Sequence, residues 1–153
     1  MLTHYRFSFG PWNIHSGADP FGPAVRDEFL FSEKLEMYKK LGFDGVQFHD
    51  DDVVISADSP WAKQEYEAKR MRQLLDDHGL EAEFVAPRLW EHPLTIDGAI
   101  TSNSADARKY ALERSLRAID IAKIIGTNNI VLWPAREGTY MREAKDHVAA
   151  VGY

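Results

Sequence analysis

One short pattern occurs three times in this sequence and restricts the folds that the chain can adopt. Each copy combines a helix end, a glycine, a short turn and an apolar strand, and the copies are residues 39–49, 76–86 and 123–133. Glycine suits the position after a helix because it reaches positive φ without a Cβ clash. An additional strand at residues 6–10 precedes the first copy. The pattern therefore predicts strands that alternate with helices.

The segments between these strands carry apolar residues at helical spacing. They predict helices over residues 28–41, 62–78 and 105–125, and the start of a fourth at 142–151. The order β-α-β-α-β-α-β, followed by this helix, implies parallel strands joined by right-handed crossovers. The fold class is therefore α/β.

Two architectures have this order of elements. One is an open doubly wound sheet, and the other is the N-terminal half of a (β/α)₈ TIM barrel, whose full length is about 250 residues. The loops after three of the strands are long, at residues 10–27, 50–61 and 87–103. Barrels place their functional residues in such loops, so the loop lengths favour the barrel.

Length and composition exclude several classes of protein. The 153 residues suffice for one domain, spanning residues 1–153. The 18 basic and 24 acidic residues give a net charge of −6 without a basic stripe, which argues against a nucleic-acid partner. The absence of cysteine excludes disulfides and thiolate metal sites. Because neither a signal core nor a membrane-length apolar run is visible, we expect a cytoplasmic protein without membrane contact.

Aromatic and charged residues follow the predicted strands, where parallel sheets bind their ligands. In chain order these are Trp12, His49, Asp50, Asp51, Asp52, Arg88, Trp90, His92 and Trp133. Tryptophan faces stack on the C–H faces of sugars, although they also fill protein cores. Three tryptophans at one rim favour the wall of a sugar pocket.

His49 and Asp52 are the candidate catalytic residues. Asp52 follows His49 by three residues, close enough to reach one imidazole nitrogen, which would fix the tautomer and raise basicity. The other nitrogen could then move a proton on a substrate hydroxyl. The alternative is that one of the three aspartates only caps the next turn. Because adjacent carboxylates on one strand end rarely converge, we predict no metal ligands among them.

Beyond these separate patterns, the sequence resembles the opening of the shorter class of xylose isomerases. The matching motifs occur in order and at near-constant spacing, at residues 7–12, 19–22, 45–52, 89–93, 97–103, 108–111 and 133–138. The most specific is the Phe-His-Asp-Asp-Asp string at residues 48–52. The resemblance implies a metal-dependent aldose–ketose isomerase on a TIM barrel, assembled as a homotetramer.

The resemblance also implies roles for individual residues. His49 would assist opening of the pyranose ring, and Asp52 would hold and polarise it. Trp12 and Trp133 would line the sugar pocket, and Phe21 would close the site of a neighbouring subunit. The family then shifts a hydride between C1 and C2 of the sugar under two divalent cations, typically Mg²⁺. It takes the ligands of these cations from the second half of the barrel.

Two departures from the family pattern lie at the expected pocket. Arg88 ends the stretch that replaces a Thr-Thr-Asn sequence of the family, and Trp90 replaces a phenylalanine. Trp90 would make the pocket smaller, and we include both residues among those that bind substrate. Arg88 would favour an acidic or phosphorylated substrate, or it would only pair with a nearby carboxylate. A third departure, Pro134-Ala135, replaces a glycine pair.

The sequence contains about four βα units, so we expect this chain alone to be inactive as an isomerase. A positioned acid–base group supplies roughly 10²–10⁴-fold acceleration, whereas enzymes commonly reach about 10⁶-fold or more. A half barrel would also leave unpaired strand edges and exposed apolar surface. We therefore expect self-association or pairing with a complementary half-barrel.

Three alternatives to the isomerase hypothesis stay open from the residues alone. Arg88 and Trp90 favour a related sugar epimerase or a phosphosugar isomerase. A half barrel could also serve as a non-catalytic sugar-binding module. The third alternative is a doubly wound binding domain, which would have a finished sheet with covered faces.

Overall fold

A computed structural model describes residues 5–18, 22–134, 136–139 and 141–153. The strands are β1 (Ser8–Phe9), β2 (Gly45–His49) and β3 (Glu81–Ala86). The helices are α1 (Phe31–Lys40), α2 (Asp50–Val53), α3 (Trp61–His78), α4 (Ala105–Ile125) and α5 (His147–Val151). Strands and helices therefore alternate along the chain, as the sequence pattern predicts.

The strands form one parallel sheet whose spatial order follows the chain, β1-β2-β3. The fourth predicted strand joins the free edge of β3 through one parallel bridge between Ile130 and Val85. Val85 N donates to Asn129 O, and Val131 N donates to Val85 O, both at 3.1 Å. Each strand therefore pairs with the one that precedes it in the chain, and the sheet extends in one direction, which is the strand order of a barrel. The predicted α/β class with parallel strands of a partial TIM barrel is confirmed.

The three long helices and the sheet share one large hydrophobic core. Leu35 of α1, Leu75 of α3 and Ile121 of α4 belong to one buried cluster. Val46 and Phe48 of β2 belong to the same cluster and are fully buried. A doubly wound sheet would carry helices on both faces. One shared core, together with the strand order, therefore favours the barrel over the doubly wound alternative.

Successive residues of a strand point to opposite faces of the sheet. The residues that alternate with the core residues are polar, so the face opposite the core is polar. Gln47 lies between Val46 and Phe48, and its Nε2 donates to Ser8 Oγ at 2.9 Å and to Glu83 Oε2 at 3.0 Å. His49 alternates in the same direction at the end of β2. The imidazole is thus directed away from the core and towards the side that a barrel encloses.

The predicted helix boundaries are correct where glycine or a capping residue fixes them. Gly79 and Gly126 end α3 and α4 with φ of 59° and 90°, as the glycine stops predict. Ser104 Oγ caps α4 by accepting from Ala107 N. Helix α1 begins at Phe31 instead of residue 28, because Leu30 is extended and its N–H donates to Glu33 Oε2 at 2.7 Å.

Two other segments differ from the prediction. The loop predicted over residues 50–61 begins with the short helix α2. The fourth helix begins at His147, after a 3₁₀ turn over Arg142–Ala144, because Asp146 Oδ1 caps it by accepting from Val148 N and Ala149 N. Within the described ranges, no helix combines the length and apolarity needed to cross a membrane.

Candidate functional site

Helix α2 starts directly at the end of β2 and gathers the three aspartates around His49. Asp52 Oδ2 accepts from the backbone N–H of His49 at 2.8 Å and thereby closes the first turn of the helix. Asp51 N donates to Asp50 Oδ1 at 3.1 Å. The capping interpretation of the aspartates is therefore correct for Asp52. Its effect is to bend the chain into a helical turn at the end of β2, so that the three aspartates no longer follow one another along a strand.

The same carboxylate also contacts the imidazole. Asp52 Oδ2 lies 3.3 Å from His49 Nδ1, and the two side chains are 19% and 13% exposed. The three-residue spacing thus produces both the cap and the imidazole contact, which the sequence presented as alternatives.

Two indole rings flank the imidazole of His49. The ring centroids of Trp12 and His49 lie 4.5 Å apart at an interplanar angle of 42°. Trp90 contacts the imidazole edge-on, at 5.3 Å and 79°. Gly10 makes room for the first indole, because a Cβ at this residue would overlap the Trp12 ring. These contacts place two of the predicted pocket residues beside the candidate catalytic histidine.

Trp133, another aromatic residue of the predicted pocket, does not join this group. Trp133 is 61% exposed and makes no ring contact with His49 in the part of the chain that the structure describes. Phe21 lies outside the described residues. His92, in the loop after β3, stacks on Tyr110 with the ring centroids 4.4 Å apart, and its Nδ1 accepts from Leu94 N.

Arg88 lies within the cluster, and protein acceptors surround its guanidinium group. Its Nε donates to Asp51 Oδ1 at 2.8 Å, and its Nη1 donates to Glu91 Oε1 at 3.1 Å. Its Nη2 lies 2.9 Å from His49 Nδ1 and 3.7 Å from Asp52 Oδ1. Of the two roles that the sequence offers for Arg88, this geometry favours pairing with carboxylates over recognition of a substrate anion.

The charges of the cluster shift the pKa values of its members. Burial and the neighbouring charge of Asp50 raise the pKa of Asp51, against the opposing effect of Arg88. Burial acts to lower the pKa of Arg88, but the charge and hydrogen bond of Asp51, together with the charges of Glu91 and Asp52, raise it above its ordinary value. Arg88 is therefore a permanent cation at the site.

A buried ion pair that sequence reasoning missed holds α2 in place. Asp50 is 2% exposed, and Arg114 of α4 binds it through Nε at 2.6 Å and Nη2 at 2.9 Å. Asp50 Oδ1 also accepts from the backbone N–H of Arg88 at 2.9 Å. Burial acts to lower the pKa of Arg114, but the hydrogen bond and charge of Asp50 raise it. No sequence signal connects residues so far apart, since only the fold brings them together.

His49, Asp51 and Asp52 form a possible metal-binding triad. Each offers one ligand atom, and these atoms lie within 4.8 Å of one another. The prediction that the adjacent carboxylates do not converge is therefore wrong, because α2 wraps them around one turn.

The triad nevertheless does not fit the magnesium ions that the resemblance implies. Mg²⁺ prefers octahedral oxygen ligands at about 2.0–2.1 Å. Here the guanidinium of Arg88 lies 2.8 Å from Asp51 Oδ1 and 2.9 Å from His49 Nδ1. A divalent cation would have to displace this internal cation from two of the three residues. The positive charge of Arg88 already occupies the place beside these carboxylates that a metal ion would take.

An open cavity of about 530 Å³ adjoins the cluster. Trp12, Asp51, Asp52 and Arg88 line it, whereas His49 is not among its lining residues. Lys34 of α1 also lines the cavity, although it is only 9% exposed, and its Nζ donates to Pro11 O at 3.4 Å. Sequence reasoning missed Lys34 because a lysine beside Glu33 on an amphipathic helix is ordinarily exposed to solvent.

Comparison with known proteins agrees with this architecture. A family model described as xylose isomerase-like TIM barrel matches residues 35–151, which is more than half of the chain. A solved structure of the probable 3-DHS dehydratase AsbF from Bacillus anthracis is similar, with 16% identity and a TM-score of 0.51. The match covers 84% of this chain and 38% of the dehydratase, so this chain spans well under half of that protein.

A second solved structure, of GH5_18 from Bifidobacterium longum, has 16% identity and a TM-score of 0.45, and the match covers 74% of this chain and 30% of that one. The structural likeness to the dehydratase reflects the fold alone. The family match, with which the parallel strand order and the core shared by helices and sheet agree, assigns the chain: it belongs to the xylose isomerase-like TIM barrel family.

Proposed function

We propose that this protein binds a cyclic aldose and assists the opening of its ring, as part of an aldose–ketose isomerase of the xylose isomerase type. One observation carries the proposal. The imidazole of His49 lies between the indoles of Trp12 and Trp90 and contacts the carboxylate of Asp52, at the carboxyl end of a parallel strand. Membership of the xylose isomerase-like family supports it.

Each part of this arrangement suits a sugar. Indole faces and edges offer apolar contact to the C–H groups of a pyranose. The His49 side chain is 13% exposed, and we propose that a ring oxygen or hydroxyl of the sugar contacts the imidazole at this exposed part. Opening a pyranose moves a proton from the anomeric hydroxyl to the ring oxygen, and a positioned imidazole accelerates such transfers by roughly 10²–10⁴-fold. Trp133 and Phe21 are further proposed contacts, with the sugar and with a neighbouring subunit.

These residues account for ring opening and for no later step of the isomerisation. The hydride shift of the family uses two divalent cations, typically Mg²⁺. Among the described residues, the one cluster with metal-ligand spacing already binds Arg88. An isomerase that contains this chain would need its metal ligands from elsewhere.

Catalysed mutarotation of D-xylose tests the proposal without requiring a metal. The purified protein, free of divalent cations, is added to crystalline α-D-xylose, and the approach to anomeric equilibrium is followed by polarimetry. We expect a rate above that of the buffer, and a His49→Gln variant that returns towards the buffer rate. The control is His78→Gln at the end of α3, which directly precedes the N-terminal end of β3 and thus the end of the sheet opposite the site. No acceleration by the folded protein, or equal acceleration by His49→Gln, would contradict the proposal.

A second candidate, an isomerase or epimerase of a sugar with an acidic or phosphate group, is favoured by Lys34. This lysine is buried at the cavity that Trp12 also lines, and within the described part of the chain it has no carboxylate within salt-bridge distance. Arg88 does not support this candidate, because its nitrogens contact protein acceptors. If it is correct, xylose 5-phosphate binds more tightly than xylose, and Lys34→Met removes the difference.

We also propose that the protein works as an oligomer or with a complementary half-barrel. Leu132 and Trp133 are 54% and 61% exposed beside the single bridge of the fourth strand. Such apolar groups at a sheet edge favour association with another polypeptide.

A further inference from the structure

We infer that Arg88, and not Asp52, determines which nitrogen of His49 carries the proton. Arg88 donates a hydrogen bond to Nδ1, so the neutral imidazole carries its proton on Nε2. Arg88 is thus a positioning residue that acts through His49. This assignment differs from the sequence-based expectation, in which Asp52 accepts a proton from Nδ1 and leaves Nε2 as a base.

The distances separate the two possible partners of Nδ1. Arg88 Nη2 lies 2.9 Å from Nδ1, a normal hydrogen-bond length, whereas Asp52 Oδ2 lies at 3.3 Å, beyond the usual range. The same Asp52 oxygen already accepts from the backbone N–H of His49 at 2.8 Å. The contact of Nδ1 with Arg88 is therefore the shorter of the two, and the Asp52 oxygen already accepts a different hydrogen bond.

The chemistry of arginine then fixes the direction of the hydrogen bond. A guanidinium carries only N–H donors and does not deprotonate in proteins, so it cannot accept from an imidazole. Nδ1 must act as the acceptor and carries no proton. A protonated imidazolium would place two donors opposite each other at 2.9 Å, which is repulsive. The neutral tautomer with hydrogen on Nε2 satisfies both groups.

Three further contacts hold Arg88 in this orientation. Its Nε and Nη1 bind Asp51 and Glu91, and its backbone N–H donates to the buried Asp50. The planar guanidinium has a fixed fork of donors, so anchoring two nitrogens determines where the third one points. Only 18% of the Arg88 side chain is exposed, which limits alternative rotamers. The donor that faces His49 is thus built into the site.

This proton position changes what His49 offers to a ligand. An Nε2–H group donates a hydrogen bond to an oxygen, whereas an unprotonated Nε2 would accept one from a hydroxyl. Resting on the proposed function, the Nε2–H of His49 donates a hydrogen bond to the ring oxygen of the sugar and stabilises the negative charge that develops there as the C1–O bond breaks. The neutral imidazole keeps this proton, because its loss would leave an imidazolate. The proton of the anomeric hydroxyl passes through water to the ring oxygen, so the ring opens without a net change in protonation.

The wild-type protein provides the first test. Long-range ¹H–¹⁵N correlation spectra of ¹⁵N-histidine-labelled protein are recorded at about pH 8.5, two units above the ordinary histidine pKa of about 6.5. The His49 signals are assigned by their loss in His49→Gln. We expect a pyrrole-like Nε2 and a pyridine-like Nδ1. The reverse pattern, with the proton on Nδ1, would overturn the inference.

Two substitutions then separate the partners. Arg88→Met removes the donor and leaves Asp52 as the neighbour of Nδ1, so we expect the proton to move to Nδ1. Asp52→Asn leaves Arg88 in place, so we expect Nε2 to stay protonated. Arg6→Met, which removes an exposed arginine from the other end of the sheet, should leave the spectrum of His49 unchanged. An Arg88→Met protein that keeps Nε2–H, or an Asp52→Asn protein that loses it, would contradict the inference.

The result is independent of the ring-opening assay. Mutarotation without Nε2–H would support the proposed function and refute the role of Arg88. Nε2–H without mutarotation would support the role of Arg88 and refute the proposed function. If Arg88→Met does not fold, the wild-type and Asp52→Asn spectra decide the question.

Discussion

Arg114 binds Asp50 through two guanidinium nitrogens, at 2.6 Å and 2.9 Å, and the two side chains are 8% and 2% exposed. This pair joins α4 to the first residue of α2. Because Asp50 also accepts from the backbone of Arg88, the pair fixes the position of both segments around His49. The site is therefore supported by an interaction that none of its proposed catalytic residues makes.

Removing one partner of this pair should destabilise the protein strongly. Asp50→Ala leaves the guanidinium buried without its carboxylate, and breaking a buried pair in this way costs about 3–5 kcal/mol. The free energy of unfolding is measured by urea denaturation. The control is Glu81→Gln, which breaks an exposed pair with Arg6 and should cost about 0–1 kcal/mol. An equal effect of both substitutions would show that the buried pair is not an anchor.

Tyr38→Phe should leave the stability unchanged or increase it. The Tyr38 side chain is fully buried, and its hydroxyl has no hydrogen-bond partner among the described residues. Burial and the charge of Asp52 raise the pKa of Tyr38 to about 12, so the hydroxyl stays protonated at neutral pH. Leaving a buried polar group unsatisfied costs about 1–3 kcal/mol, which phenylalanine avoids. Thermal unfolding checks this, with the exposed Tyr66→Phe as control. A clear loss of stability would reveal a partner for the hydroxyl.

Glu137 should contribute stability at neutral pH that is lost on acidification. Its carboxylate accepts from the backbone N–H groups of Ala99, Ile100 and Thr101, each at 2.9 Å. Burial acts to raise the pKa of Glu137, but hydrogen bonds from the Thr101 side chain and from the backbone lower it below the ordinary value of 4.5.

The direction of the pH dependence follows from the lowered pKa of Glu137. Above pH 4.5 the full contribution is present, and it disappears as the pH falls through the folded pKa, because the unfolded chain binds the proton first. The difference in unfolding free energy between the wild type and Glu137→Gln should therefore shrink as the pH falls below 4.5. A difference that does not change with pH would refute this role.

Self-association should depend on the apolar edge of the fourth strand. Sedimentation velocity of the wild type should show species larger than the monomer, with a proportion that rises with concentration. Trp133→Lys should reduce this proportion, because a charge in place of an exposed indole discourages edge contacts. Ile55→Lys changes a residue that is also exposed, at 82%, and serves as the control. A wild type that stays monomeric at all concentrations would contradict the proposal.

Local patterns predicted most of the fold correctly. Gly79 and Gly126 mark the helix ends because a left-handed residue there has few alternatives to glycine. Helix α2 was not predictable in the same way, since four residues carry too little periodicity to distinguish a helical turn from a loop. It forms because Asp52 accepts from the backbone of His49, a local hydrogen bond without an apolar pattern.

The site was predictable only in part, for a related reason. His49 and Asp52 are neighbours in sequence, so their contact follows from spacing. Arg88 reaches His49 from the next strand, and Arg114 reaches Asp50 from α4. These long-range contacts depend on strand order and helix rotation, which no short pattern encodes. They also change the expected chemistry, because they bring cations into a cluster that the sequence presents as acidic.

If the proposed function is correct, a sugar binds against His49, Trp12 and Trp90. Uniformly ¹⁵N-labelled protein is titrated with xylose, and the ¹H–¹⁵N signals of the His49 ring and the tryptophan indoles are followed. We expect the His49 Nε2 signal and the indole signals of Trp12 and Trp90 to shift together with one saturation curve, while Trp61, on α3, stays unchanged. Saturating xylose that leaves all these signals in place, or that shifts only Trp61, would contradict the proposed function.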